Sequence, residues 1–225
     1  MFSEKAFHFR YNCKIGIIFL LRGDYPVSEI VENTSKDTEN NVGSWFRKGV
    51  ELFQEGKYEE AVEYFDRVLT VNPRHSPSLT NKGAALRKLG RYEEAIALFD
   101  KALEIDPDNV AALNNKGATL DSLGRYDEGF ECYEKALEID PYNVDTWVNK
   151  GVTHAGCGRW KEAVECFDKA IEINPRCILA WENKGAVLFD QGRYLEALVC
   201  FEELLRLGDK RAAEMIQRVK NRMEG

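Results

Sequence analysis

Pro73, Pro107, Pro141 and Pro175 stand 34 residues apart, and whole columns of other residues recur at that interval. One glycine column runs Gly49, Gly83, Gly117, Gly151 and Gly185, and a second runs Gly56, Gly90, Gly124, Gly158 and Gly192. A ring column follows, Tyr58, Tyr92, Tyr126, Trp160 and Tyr194. A period held across so many columns specifies one supersecondary unit copied in tandem, each copy burying its apolar face against the next. The fold is therefore constrained before any single propensity is weighed.

The second unit shows how one copy divides into two helices. Ser76 is the expected N-cap and Pro77 the expected first helical residue. Leu79, Gly83 and Leu86 then share one helical face, and Gly90 ends the helix by tolerating left-handed backbone. Tyr92, Ala95, Ile96, Phe99, Ala102 and Leu103 form the apolar stripe of a second helix, with Glu93 and Glu94 favoured in its first turn. Asp106-Pro107 closes the unit, because proline cannot continue a helix. Gly83 and Ala95 leave room for the helices to approach closely, and Tyr92 with Phe99 is expected to fill the space between units. Gly129 stands where other units carry alanine, which predicts a softer third unit.

These offsets resemble the tetratricopeptide repeat family, whose helix-turn-helix unit carries Trp, Gly, Tyr, Ala, Phe and Pro at fixed places. Trp45, Trp147 and Trp181 match its tryptophan, with Leu79 and Leu113 substituting; Lys48, Lys82, Lys116, Lys150 and Lys184 stand where leucine is common. The resemblance implies an all-α, right-handed solenoid of five units, 42–75, 76–109, 110–143, 144–177 and 178–208. A C-terminal stretch, 209–225, places Ala212, Met215, Ile216, Val219 and Met223 on one face and reads as a solvating helix over the last apolar edge.

Residues 1–41 read as an extension and linker. Ile15 to Leu21 is apolar but far shorter than the roughly 20 residues a membrane helix needs. Arg22, Asp24 and Pro26 follow it, where a secretory signal would place small residues. Phe7, Phe9, Tyr11 and Cys13 alternate with polar residues in a strand-like pattern, and Ser28 to Asn41 is polar. Of six cysteines, Cys132, Cys166 and Cys200 share one register, too widely spaced for disulfides. The chain reads as a reduced, cytoplasmic protein.

A net charge of −7 disfavours anionic membranes and nucleic acid as partners. The lysine column reads as aliphatic stems covering apolar surface with wet ammonium groups. Nothing points to an enzyme or a cofactor: phosphate loop, nucleophile elbow and metal-ligand spacing are all missing from the pattern. His154, where Leu52, Leu86, Leu120 and Leu188 stand in other units, reads as a hydrogen-bonded core histidine.

The resemblance instead implies a concave groove lined by the first helix of each unit, receiving a segment of a partner protein. Arg47, Asn81, Asn115, Asn149 and Asn183 are then the groove column, its asparagines offering amides to a guest backbone or stabilising their own helices. Ala84, Ala118, Val152 and Ala186 leave space beside it. Arg47, Arg87 and Lys88 make one end basic; Asp121, Asp145 and Glu182 make the other acidic; Phe46 and Phe53 are candidate apolar anchors. A known subgroup clamps chaperone tails with a basic residue three before the register glycine and asparagine just after it. Phe46 and Val50 hold those places here, so that clamp is absent. Self-association through the solenoid ends, giving a weak homo-oligomer, is the other reading.

Overall fold

The computed structural model describes residues 36–224, so the apolar segment, the strand-like alternation and Cys13 lie outside the described residues. Eleven helices follow one another there: α1 (Lys36–Gln54), α2 (Tyr58–Val71), α3 (Ser76–Lys88), α4 (Tyr92–Ile105), α5 (Val110–Ser122), α6 (Tyr126–Ile139), α7 (Val144–Gly156), α8 (Trp160–Ile173), α9 (Ile178–Asp190), α10 (Tyr194–Arg206) and α11 (Ala212–Glu224). The first helix begins at Lys36, inside the stretch that reads as linker. Each odd helix packs on the even one after it, and each even helix on the next odd one. The result is an all-α repeat solenoid.

Consecutive odd-numbered helices also touch one another, whereas the even-numbered ones have no comparable mutual contact. The rod therefore bends toward the odd helices, which line its inner flank.

The second glycine column turns the chain between the paired helices, with φ from 71° to 80° at Gly56, Gly90, Gly124, Gly158 and Gly192. That left-handed backbone closes each first helix and is strained for any other residue. The first glycine column has a different cause. A Cβ at Gly83 would lie 2.6 Å from the Phe99 ring, and at Gly117 it would lie 2.7 Å from Tyr133. The rings of Phe65, Phe99, Tyr133, Phe167 and Phe201 thus lie on the glycine of their own hairpin. Phe99 fills the inside of a unit and not the space between units, because only a missing side chain lets the ring that deep.

The N-cap of α3 is His75, not Ser76: its Nδ1 accepts from the Ser78 backbone N–H at 3.2 Å. Ser76 and Pro77 sit inside the first turn. Asn109 and Asn143 cap α5 and α7 through their side-chain oxygens. Asn109 also donates to the Ser76 and Thr80 hydroxyls, tying α5 to α3.

Four of the five lysines in the column are inter-unit staples, while Lys48 pairs with Glu51 on its own helix. Lys82 pairs with Asp66 at 2.5 Å, Lys116 with Asp100 at 2.6 Å, Lys150 with Glu134 at 3.5 Å and Lys184 with Asp168 at 2.5 Å. Each joins a first helix to the second helix of the preceding unit. Lys150 and Lys184 also sit 5.8 Å above the rings of Trp147 and Trp181.

At the end of the stack Ala212 and Val219 of α11 are fully buried, with Met215 and Ile216 packed against Leu188, Phe201 and Leu204. Met223 escapes that contact and is 46% exposed. Cys132, Cys166 and Cys200 are free and buried, and burial pushes each thiol up to about 11.

Candidate functional site

Asn81, Asn115, Asn149 and Asn183 all lie on odd helices, and each has an amide N–H already engaged within the protein. Asn81 donates to the Pro77 carbonyl at 2.8 Å, Asn115 to Ala111 at 2.9 Å and Asn183 to Leu179 at 2.8 Å, each one turn back on its own helix. Asn149 donates instead to Asn114 Oδ1 at 3.0 Å, across the α5–α7 contact. Asn115 and Asn149 are buried. The expected four-rung ladder is corrected accordingly: its two middle rungs are sealed between helices, and only Asn81 and Asn183 stay partly exposed. At Asn81, Asn115 and Asn183 local bonding wins because an i−4 carbonyl lies within reach of a helical asparagine.

The other expected groove residues separate in the same way. Ala84, Ala118 and Ala186 are buried, while Val152 packs half-buried against the core of its unit. Phe53 is buried and meets Tyr58 edge-on at 5.1 Å. Phe46 lies 6.0 Å from Phe65 and 5.3 Å from His75. Both phenylalanines are therefore core of the first unit and not free anchors. Glu182 is held by Arg211 at 3.5 Å. Arg47 is exposed, Lys88 is half-buried, and Asp145 is half-buried with its carboxyl raised above the usual range by burial.

One further column, reachable from the sequence by counting four past each register glycine, runs Phe53, Arg87, Asp121, Ala155 and Phe189. Two of its members are charged groups with incomplete partners. Arg87 is 8% exposed, and its buried Nε meets no acceptor. Asp121 Oδ2 accepts from Tyr133 at 2.6 Å and from Thr153 of the next unit at 2.5 Å. Its Oδ1 is buried without a donor, tucked against Gly129. Burial raises this carboxyl from 3.8 to about 6 against the pull of the two hydroxyls. The third unit is thus not simply softened by Gly129; it holds a polar cluster.

His154 departs from expectation too. Its ring stacks on Phe130 at 4.4 Å and its buried Nδ1 has no hydrogen-bond partner. Burial, with Lys150 and Arg159 near, lowers its pKa. Among the described residues no group of three His, Cys, Asp or Glu is placed to hold a metal ion, and no helix is long and apolar enough to cross a membrane.

Family models described as tetratricopeptide repeat match residues 46–110 and 80–144, then 144–177, then 178–210. No curated protein matches the chain. Solved structures with the same fold include PilF of Pseudomonas aeruginosa (20% identity, 84% of this chain and 87% of that one, TM-score 0.72). A thermophilic TPR protein of Thermus thermophilus is similar at 18% identity, over 82% of this chain and all of its own, with a TM-score of 0.71. YrrB, a TPR protein with an unusual peptide-binding site, shares 18% identity over 81% of this chain and 94% of its own, with a TM-score of 0.56.

Proposed function

The chain belongs to the tetratricopeptide repeat family, and from that premise we propose that it is a non-catalytic scaffold whose inner flank binds an extended segment of a partner protein. The observation that carries this reading is the continuous row α1, α3, α5, α7 and α9, which presents equivalent faces at repeat spacing along one side of the rod. An extended chain offers backbone groups at regular intervals, and a repeated surface meets them in step. Asn81 and Asn183 each keep one amide N–H and the Oδ1 lone pairs for that purpose, since only one N–H is used within the helix. Buried free thiols fit a reducing compartment such as the cytoplasm.

Photo-crosslinking tests the reading. A photoreactive residue at Asn81 or Val152 should capture a partner segment, whereas one at Glu63 or Glu165 on the even helices should not. Capture confined to the even helices would move the binding surface to the outer flank.

Self-association has one observation in its favour. Leu195 and Val199 on α10 are 68% and 61% exposed, while the matching outer positions of α8 carry Lys161 and Glu165. Light scattering over a concentration series, with Leu195→Glu and Val199→Glu as controls, separates a self-assembling rod from a monomeric scaffold.

A further inference from the structure

We propose that Arg87 is a receptor for a single carboxylate, the side chain of an Asp or Glu in the bound partner segment. This inference rests on the inner-flank reading above and adds to it the chemistry of one contact. A guanidinium cannot shed its charge at any ordinary pH, so a buried one must be balanced by an anion or by acceptors. Arg87 is more than nine-tenths buried, and among the described residues it makes no ion pair. Its Nε has no acceptor at all. Its place in the last turn of α3 suits a cation, yet no helix carbonyl takes the Nε proton.

The surroundings narrow the ligand. A carboxylate matches the planar fork of a guanidinium in two parallel hydrogen bonds. Asp121 stands in the same register one unit further along and the chain carries a net charge of −7, which together repel a multiply charged polyanion. Ala84, one turn earlier on α3, and Ala118, its counterpart on α5, are small and bring no competing side chain. The register also differs from that of the chaperone-tail clamp, which uses places held here by Phe46 and Val50.

The experiment uses the full 225-residue chain and acetylated, amidated octapeptide pools. One set fixes Asp or Glu at a single position, and a matched set fixes Asn or Gln there. Acidic pools should bind at least ten-fold tighter. Arg87→Gln should abolish that preference without lowering the melting temperature, and Arg87→Lys should keep part of it. Equal binding of acidic and amide pools, or a preference that survives Arg87→Gln, would overturn the proposal while leaving the inner flank as a binding surface. A preference seen only with pools carrying a free C-terminus would also overturn it, by assigning the contact to a chain end. If no pool binds, the inner-flank reading fails and sodium acetate decides the site itself. A saturable shift of the Arg87 Nε–H resonance upholds a carboxylate receptor; an unmoved resonance removes it.

Discussion

The carboxylate of Asp121 occupies the space that a methyl group on residue 129 would fill, and residue 129 is the one glycine in a column of alanines. The two positions belong to facing helices of one hairpin, α5 and α6. Tyr133, the one tyrosine among the buried phenylalanines, donates to the same carboxylate, and Thr153 reaches it from α7. Two breaks in the repeat pattern, Gly129 and Tyr133, are therefore parts of one local solution with Asp121 and Thr153: a buried acid with room made for it and two hydroxyls turned to it.

That arrangement makes stability depend on pH. The folded chain holds the Asp121 proton more tightly than an unfolded one, at about 6 against 3.8. Its stabilising contribution is complete below pH 3.8, fades as pH rises and is gone above about 6. Two pK units correspond to roughly 3 kcal/mol. Denaturant unfolding of Asp121→Asn should therefore give higher stability than wild type at pH 7.5, by about 1–3 kcal/mol, and a much smaller difference at pH 4. Asp145 and Asp190, also raised by burial, titrate alike in both proteins. Equal pH profiles for the two proteins would refute the assignment.

Gly129→Ala should destabilise the rod, because the new methyl meets the Asp121 carboxylate. The pair Asp121→Ala with Gly129→Ala recreates the Ala155 and Ala163 pair of the next unit. A double-mutant cycle should show favourable coupling of about 1 kcal/mol or more, as expected for groups in contact. Additive effects would mean that the two side chains do not share the space.

At Gly83 two effects of opposite sign compete. Alanine gains roughly 1 kcal/mol in helix propensity over glycine. The added Cβ would lie 2.6 Å from the Phe99 ring, and overpacking of that kind costs about 1–3 kcal/mol. Gly83→Ala should lower the melting temperature, and Phe99→Leu in the same chain should recover part of the loss. A raised melting temperature in the single variant would show that the ring yields freely.

Val219→Asp tests whether α11 seals the end of the stack, since Val219 is fully buried against the last pair. An unpaired charge there should unfold α11 and shift calorimetric melting downward, with aggregation through the uncovered Leu204 and Phe201. An unchanged melt would show α11 to be dispensable.

Much of this is readable without coordinates, and the omissions have physical reasons. The 34-residue columns fix helix pairs, turns and stacking because each is a matter of periodicity. Sequence reasoning prefers Ser76 over His75 as the N-cap because serine is the commoner cap, while a histidine nitrogen accepts equally well when neutral. The asparagine column is legible as a column, but not the carbonyl each amide chooses, which depends on helix geometry and burial. The lysine staples join residues 16 apart whose contact exists only once units stack. The Asp121 cluster leaves a trace, since Gly129 and Tyr133 break their columns in the same unit. Reading those two breaks together with Asp121 and Thr153 requires knowing that four separate positions converge.

Among the described residues the apolar interior includes five clusters, each spanning little more than one hairpin and its neighbour, some of them joined by shared residues such as Val62, Leu98 and Val164. Damage in such a molecule stays local, as it does in a masonry arch built of separate stones. Helix α2 packs on α1 and α3 and helix α10 on α9 and α11, so a lesion beneath one reaches the other only through the hairpins between them. Affinity and specificity are then free to vary hairpin by hairpin along the inner curve.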